Sequence, residues 1–371
     1  MAGLFSAALA QVKIEKKQQP LRHSAAQLIA AQQWRHGDLT LTCVDKYFET
    51  DDTVSLTFQA QTATQFCFKP GQFVTITFDI AGKSYSRCYS ISSSPSRPMT
   101  LVLTVRKVIG GVVSSYLVDK FTVGDVVKSS LPMGQFNIAD IKADKYLLLS
   151  AGCGITPMHS IVTFLADTQR SVDVAMIHSA KHRPIIFDKS LTHLAQTLSG
   201  FKFSLMLTGT QPEPNSPSDI NIRTGRISIA ALAELVPDYQ SRSILVCGSA
   251  DYIESVTQLL ATAGVDASNI YYENFAPTSA PVAVNPENML TITAGSQLTQ
   301  APQGSLLLDA IEAITPINGA CRSGICGACK CKVLSGKVTT TSVETLTDAE
   351  IAEGMVLACS CYLQSDISIT V

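Results

Sequence analysis

The chain has 371 residues, a length that fits two or three domains. Hydrophobic residues make up 46% of it and charged residues 16%, which excludes a disordered chain and supplies a sizeable core. A formal net charge of −2 argues against nucleic acid as a partner, and no apolar run reaches the roughly 20 residues of a membrane span. Eleven cysteines in so long a chain, with no signal-peptide pattern, read as thiols of a reducing cytoplasm and not as a disulfide scaffold.

Residues 1–37 form an N-terminal extension with an excess of Lys and Arg. Leu4, Phe5, Ala8, Leu9 and Val12 fall on one helical face, the pattern of a surface-seeking helix. The favoured reading is a frayed segment or a short helix docked on the body.

From 38 to 142 the pattern is short alternating segments: 39–44, 53–58, 72–78, 100–106 and 125–130. Strands at this spacing, broken by Gly and Pro, predict an antiparallel β-barrel. Arg87-Cys88-Tyr89-Ser90 reads as a strand end, with an Arg, an aromatic and a hydroxyl on a shared face. Such a set would pair a phosphate, stack on a flat ring and hydrogen-bond a ring nitrogen; the plainer alternative is a strand with an exposed tyrosine. Gly111, Val113 and Ser114 lie where a glycine turn runs into a helix, and backbone N–H groups there suit a pyrophosphate.

From 143 to 275 strand and helix alternate, which predicts a doubly wound parallel α/β sheet. Gly152 and Gly154 sit at a strand–helix turn, with Thr156 expected as the N-cap and Pro157 as the first helical residue. A second strand end, Cys247-Gly248-Ser249, precedes another helix and can approach the same nucleotide. Lys181, His182 and Arg183 follow a strand end, where they are either a 2′-phosphate site or a solvated turn, the latter being favoured. His178 reads as structural.

Residues 276–288, rich in Pro and Ala, read as a linker to a last unit at 289–371. There Cys321, Cys326 and Cys329 stand in C-x4-C-x2-C spacing, with further thiols at Cys359 and Cys361. Three thiols in one loop and a fourth on a distant strand is the ligand pattern of a plant-type [2Fe–2S] centre. Gly324 and Gly327 give the loop the freedom to close around sulfide. Spacing alone leaves Cys359 and Cys361 open as the fourth ligand, since both would face one way on a strand. Thr347 and Glu350 form a capping-box pattern that starts a short helix.

Taken together, these parts resemble the ferredoxin–NADP reductase superfamily with a C-terminal plant-type, β-grasp ferredoxin domain. The closing run 345–361 and the Arg87–Ser93 strand are most similar to the NADH-dependent reductases of the hybrid cluster protein. The resemblance covers residues 38–371 and implies FAD, held by Arg87, Cys88, Tyr89, Ser90, Gly111, Val113 and Ser114. It implies NADH, with NADPH the alternative, at Gly152, Gly154, Thr156, Pro157, Gly248 and Ser249. Cys247 would lie near the nicotinamide, and Glu273 and Phe275 near the flavin ring, with Ser90, Cys247, Glu273 and Phe275 forming the catalytic set. The family pattern selects Cys359 as fourth cluster ligand and leaves Cys331 and Cys361 as bystanders. Ser249 departs from the family's usual Cys-Gly-Pro, which predicts a looser loop.

The activity implied is electron transfer from NADH through FAD and [2Fe–2S] to a protein acceptor, with hybrid cluster protein favoured. A hydride delivers two electrons and the cluster takes one, so a flavin must stand between them. The alternatives are a reductase component for a Rieske oxygenase or a fatty-acid desaturase, or, in another class, a non-catalytic iron–sulfur redox sensor.

Overall fold

A computed structural model describes residues 23–169, 173–209, 220–275 and 283–371, except 318, 323 and 344. The proposed helical face at residues 4–12 lies outside the described residues.

The first unit has six antiparallel strands: β1 (Leu39–Thr50), β2 (Thr53–Ala60), β3 (Phe73–Ile80), β4 (Lys83–Ser90), β5 (Leu101–Arg106) and β6 (Val126–Ser129). Their order is β4-β3-β6-β1-β2-β5. The ring closes where Ile91, just past β4, bridges Leu103 of β5, and Ser92 N–H donates to the Val102 carbonyl at 2.9 Å. This is the barrel that the alternation predicts. The sequence marks only the end of β4, because Lys-Ser-Tyr-Ser has no apolar face. Its hairpin turn is made by Ala81 and Gly82, both with positive φ. Leu41, Phe58, Phe66 and Phe121 fill the barrel.

Helix α1 (Val112–Asp119) lays Val113, Leu117 and Val118 on that core. The Lys46 ammonium donates to the carbonyls of Leu117, Val118 and Phe121 at 3.1, 2.7 and 2.9 Å, satisfying acceptors that a helix end leaves open. The extension joins the barrel before residue 38. Trp34 is buried edge-on to Phe66 and donates to the Gly37 carbonyl, and Gln32–Gln33 pair with Thr64–Gln65.

The second unit is a parallel six-stranded sheet. Its elements are β7 (Lys145–Ala151), α2 (Ile155–Asp167), β8 (Asp173–Ala180), α3 (Asp188–Thr197), β9 (Phe201–Leu207), β10 (Asn221–Thr224), α4 (Ile229–Leu235), β11 (Ser243–Gly248), α5 (Ala250–Thr262) and β12 (Ile270–Asn274). The order β10-β9-β8-β7-β11-β12 reverses direction between β7 and β11, and their carboxyl ends frame a crevice. Leu147, Leu148 and Leu149 are all fully buried, as in a strand covered on both faces. At the opposite end, the buried Arg242 clamps Asp173 and Asp238 at 2.9 and 2.8 Å.

The third unit is an α+β sheet of β13 (Asn285–Ala294), β14 (Gln297–Gln303), β15 (Lys330–Ser335), β17 (Met355–Leu357) and β19 (Ile367–Thr370), ordered β14-β13-β19-β15-β17. Only the β13–β19 pair is parallel. Beside it lie α6 (Leu307–Glu312), α7 (Asp348–Ala352) and the two-stranded pair β16 (Val338–Thr340) and β18 (Cys361–Leu363). The predicted capping box of Thr347 and Glu350 starts α7. Strand β13 begins inside the predicted linker, where an irregular register accommodates Pro286 and Asn288 hydrogen-bonds Gln303 at 3.0 Å. Among the described residues no helix is long and apolar enough to cross a membrane.

Candidate functional site

The cysteine loop runs from α6 to β15, and Cys359 enters it from a single turn, Ala358–Ser360. Cys321 is a hydrogen-bond partner of Cys326 and of Cys359, and Cys359 of Cys329, so the four thiols form one connected set of neighbours. Two backbone N–H groups point at them, Gly324 N to Cys359 Sγ at 3.2 Å and Cys359 N to Cys329 Sγ at 3.4 Å. Gly324 has φ +76, and a β-carbon there would stand 2.5 Å from that of Ser342. Crowding moves the proton affinities apart. Cys326 is raised to about 11, chiefly by the Cys321 sulfur, whereas Cys329 is lowered, chiefly by its hydrogen bond with Cys359. Once deprotonated, four such thiols are the donor set that the irons of a [2Fe–2S] group take.

Cys359 and Cys361 do not share a strand, contrary to the period-two expectation. Cys359 lies in the turn and Cys361 opens β18, and both pack in the same hydrophobic core as Cys329 and Cys331. Burial raises Cys331 to about 12 and Cys361 to about 11.

The loop lies against the barrel. A cavity between them is lined by Phe73, Arg87, Ser90, Glu273, Phe275 and Cys321, among others, and Cys88 also borders it. Ser90 is 5% exposed, and its Oγ has no hydrogen-bond partner, so a buried hydroxyl borders a cavity lined by an aromatic ring and a carboxyl group. An unmet polar atom of this kind fits a ligand with a ring nitrogen or carbonyl. Tyr89 does not share this face. It is absent from the cavity lining and packs edge-on to Phe78 against the barrel core.

Gly111 is the N-cap of α1 and makes no side-chain cap, leaving the first N–H groups open. The Ser114 hydroxyl accepts from Val108 N at 3.1 Å, closing the turn. Val113 is buried in the barrel core, so only its backbone can reach a ligand.

Cys247, fully buried and outside the lining of the crevice, pairs in register with Glu273 on one side and Ser150 on the other. Burial, and then the Glu273 charge, raises its thiol well above the ordinary value. Gly152 (φ +55) and Ser249 line a cavity of about 910 Å³, together with His178, Lys181, His182, Thr208, Arg226 and Tyr252. Gly154 and Gly248 are packing positions: a β-carbon on Gly154 meets the Cys247 carbonyl, and one on Gly248 meets the Tyr252 ring.

Thr156 is not the N-cap. The 3-10 turn 152–154 flows directly into α2 at Ile155, and the Thr156 hydroxyl donates back to the Cys153 carbonyl at 2.9 Å. Pro157 remains in the first turn, where its missing N–H costs nothing. Both are buried behind the crevice. Ser249 does not loosen its loop, because it caps α5 by accepting from Tyr252 N at 3.3 Å. Arg183 is structural, held by Asp188 and Thr192. Arg226, Thr208 and Tyr252 carry no sequence pattern that marks them. His178 is buried with its Nδ1 2.9 Å from Ser150 Oγ, yet it borders the crevice.

Three family models match the chain. Residues 40–138 match the oxidoreductase FAD-binding domain, 148–258 the oxidoreductase NAD-binding domain, and 291–364 the 2Fe-2S iron-sulfur cluster binding domain. The glycine betaine monooxygenase reductase subunit of Chromohalobacter salexigens is 33% identical over 361 residues, spanning 92% of this chain and 97% of that protein. The NADH oxidoreductase HCR of Escherichia coli is 35% identical over 302 residues, spanning 81% of this chain and 88% of that protein. The solved structure of phthalate dioxygenase reductase shares the fold, with a TM-score of 0.60 at 20% identity, covering 90% of this chain and 98% of that one.

Proposed function

The chain belongs to the ferredoxin–NADP reductase superfamily, in the group with a C-terminal 2Fe-2S domain, and on that premise we propose that it is the reductase subunit of an oxygenase. It is an electron-transfer oxidoreductase that uses NAD(P)H, FAD and a [2Fe–2S] cluster. The observation that carries the acceptor reading is the reach of the match to the glycine betaine monooxygenase reductase, 92% of this chain against 81% for HCR. Glycine betaine is therefore the first oxygenase substrate to test, and a cytoplasmic location accords with free thiols and a nucleotide substrate.

Bound FAD supplies the conversion of an electron pair into single electrons. The Ser90 hydroxyl, without a partner of its own, orients the flavin ring, and Arg87 holds its phosphates. The open N–H groups after Gly111 receive the pyrophosphate. Phe275 and Glu273 border the cavity that would take the ring, and Cys247, fully buried on the strand beside Glu273, would stand behind the nicotinamide. Gly152 and Ser249 lie along the nucleotide, with Lys181 and Arg226 supplying charge for its phosphates. Cys321, Cys326, Cys329 and Cys359 hold the cluster.

A second reading, in which electrons go to hybrid cluster protein, is supported by the 35% identity to HCR. NADH oxidation coupled to each purified acceptor decides between them. The expected result is faster reduction of the oxygenase subunit; faster reduction of hybrid cluster protein would reverse the assignment, and a purified chain with no flavin absorbance would remove both.

A further inference from the structure

Cys88 belongs to the barrel, yet its thiol lies against the cysteine loop of the third unit. It packs with Phe73, Cys321 and Cys326 in one small apolar cluster. Both Cys321 and Cys326 are within hydrogen-bonding reach of it. On its own sheet, Thr75 is its registered partner on β3, and Thr75 Oγ1 stands 3.2 Å from Cys88 Sγ. The thiol is therefore held between one hydroxyl and two cluster-loop sulfurs. It is outside the loop's spacing pattern, and a [2Fe–2S] group already has its four ligands.

We propose that the Cys88 S–H, oriented by Thr75, donates a hydrogen bond to the Cys321 and Cys326 sulfurs and thereby sets the reduction potential of the cluster they hold. The inference rests on reading the loop as a [2Fe–2S] site. Hydrogen bonds to the sulfurs are among the factors that tune such clusters. Reduction adds negative charge, and a hydrogen bond strengthens with the charge on its acceptor, so the donor favours the reduced form and raises the potential. When Thr75 donates to the Cys88 sulfur, the thiol proton is left free for the loop. The donor comes from the barrel, so this bias exists only while the loop rests beside the Ser90 cavity. In that arrangement the loop adjoins the cavity assigned to the flavin ring, so docking and cluster potential would be coupled through one thiol.

The test is an EPR-monitored redox titration of the full-length holoprotein and three variants. Cys88→Ala is expected to lower the cluster midpoint by about tenfold in its oxidised-to-reduced ratio, about 59 mV for one electron. Cys88→Ser keeps an O–H donor and stays near the parent, and Thr75→Val, which leaves the thiol in place, shifts the midpoint in the same direction by less. A normal reduced-cluster signal with an unshifted midpoint in Cys88→Ala overturns the inference while leaving the cluster reading intact. Should Cys88→Ala fail to hold its cluster, Thr75→Val decides alone, and an unshifted midpoint there overturns the inference. A parent protein with no cluster signal removes the premise as well.

Discussion

Gly154 passes so close to Cys247 that a β-carbon on it would stand 2.1 Å from the Cys247 carbonyl oxygen. The two strand ends that frame the crevice are thus in backbone contact, and the glycine is required by space. Its own φ is −61, ordinary for any residue, so steric overlap is the whole effect of a substitution. The obstacle is backbone, which cannot rotate away. Gly154→Ala is expected to cost about 1–3 kcal/mol of stability, measured by denaturant unfolding. It should also raise the KM for the nucleotide, because β7 and β11 are pushed apart. Parent-like stability and KM together would show that the loops tolerate the displacement.

Cys359 and Cys361 are two residues apart but face different surroundings. Both pack in the domain core, but Cys359 contacts Cys321 and Cys329, whereas Cys361 meets the hydroxyls of Thr340 and Ser360. Cys359→Ser should therefore lose the cluster, seen as loss of bound iron, sulfide and visible absorbance. Cys361→Ser should keep it and pay only for a buried hydroxyl, about 1–3 kcal/mol. Retention of a full cluster in Cys359→Ser would mean that another thiol takes its place.

His178 gives the fold a pH dependence of definite sign. Burial holds its folded-state pKa down to about 3, against an ordinary value of 6.5. Between those values the unfolded chain binds the proton and the folded chain does not, so stability falls as the pH is lowered. The loss begins near pH 6.5 and is complete near pH 3; above that window His178 contributes no dependence. His159, stacked on Phe187 at 4.0 Å and held down to about 4 by burial, acts with the same sign. Thermal unfolding of His178→Asn should therefore show a flatter decline between pH 6.5 and 4 than the parent, without abolishing it. An unchanged slope would place the acid sensitivity elsewhere.

The amino-acid sequence by itself determined the order of the three units, the cysteine loop and the strand–helix turn at Gly152. Each of these is local: ligand spacing within one loop, alternation within one strand, or glycines at one turn impose their geometry on a few neighbouring residues. Only the tertiary structure decided which thiols meet one another: Cys359 sits in a turn that breaks the strand period and contacts Cys321 and Cys329, while Cys361 opens the next strand. The same holds for Ser249, which tightens its loop as a helix cap, and for Arg226, which reaches the crevice from a distant turn. Cys88 is the sharpest case. Nothing in Arg-Cys-Tyr-Ser says that its thiol will meet Cys321, because that contact joins residues far apart in the chain and arises only when the third unit packs on the barrel.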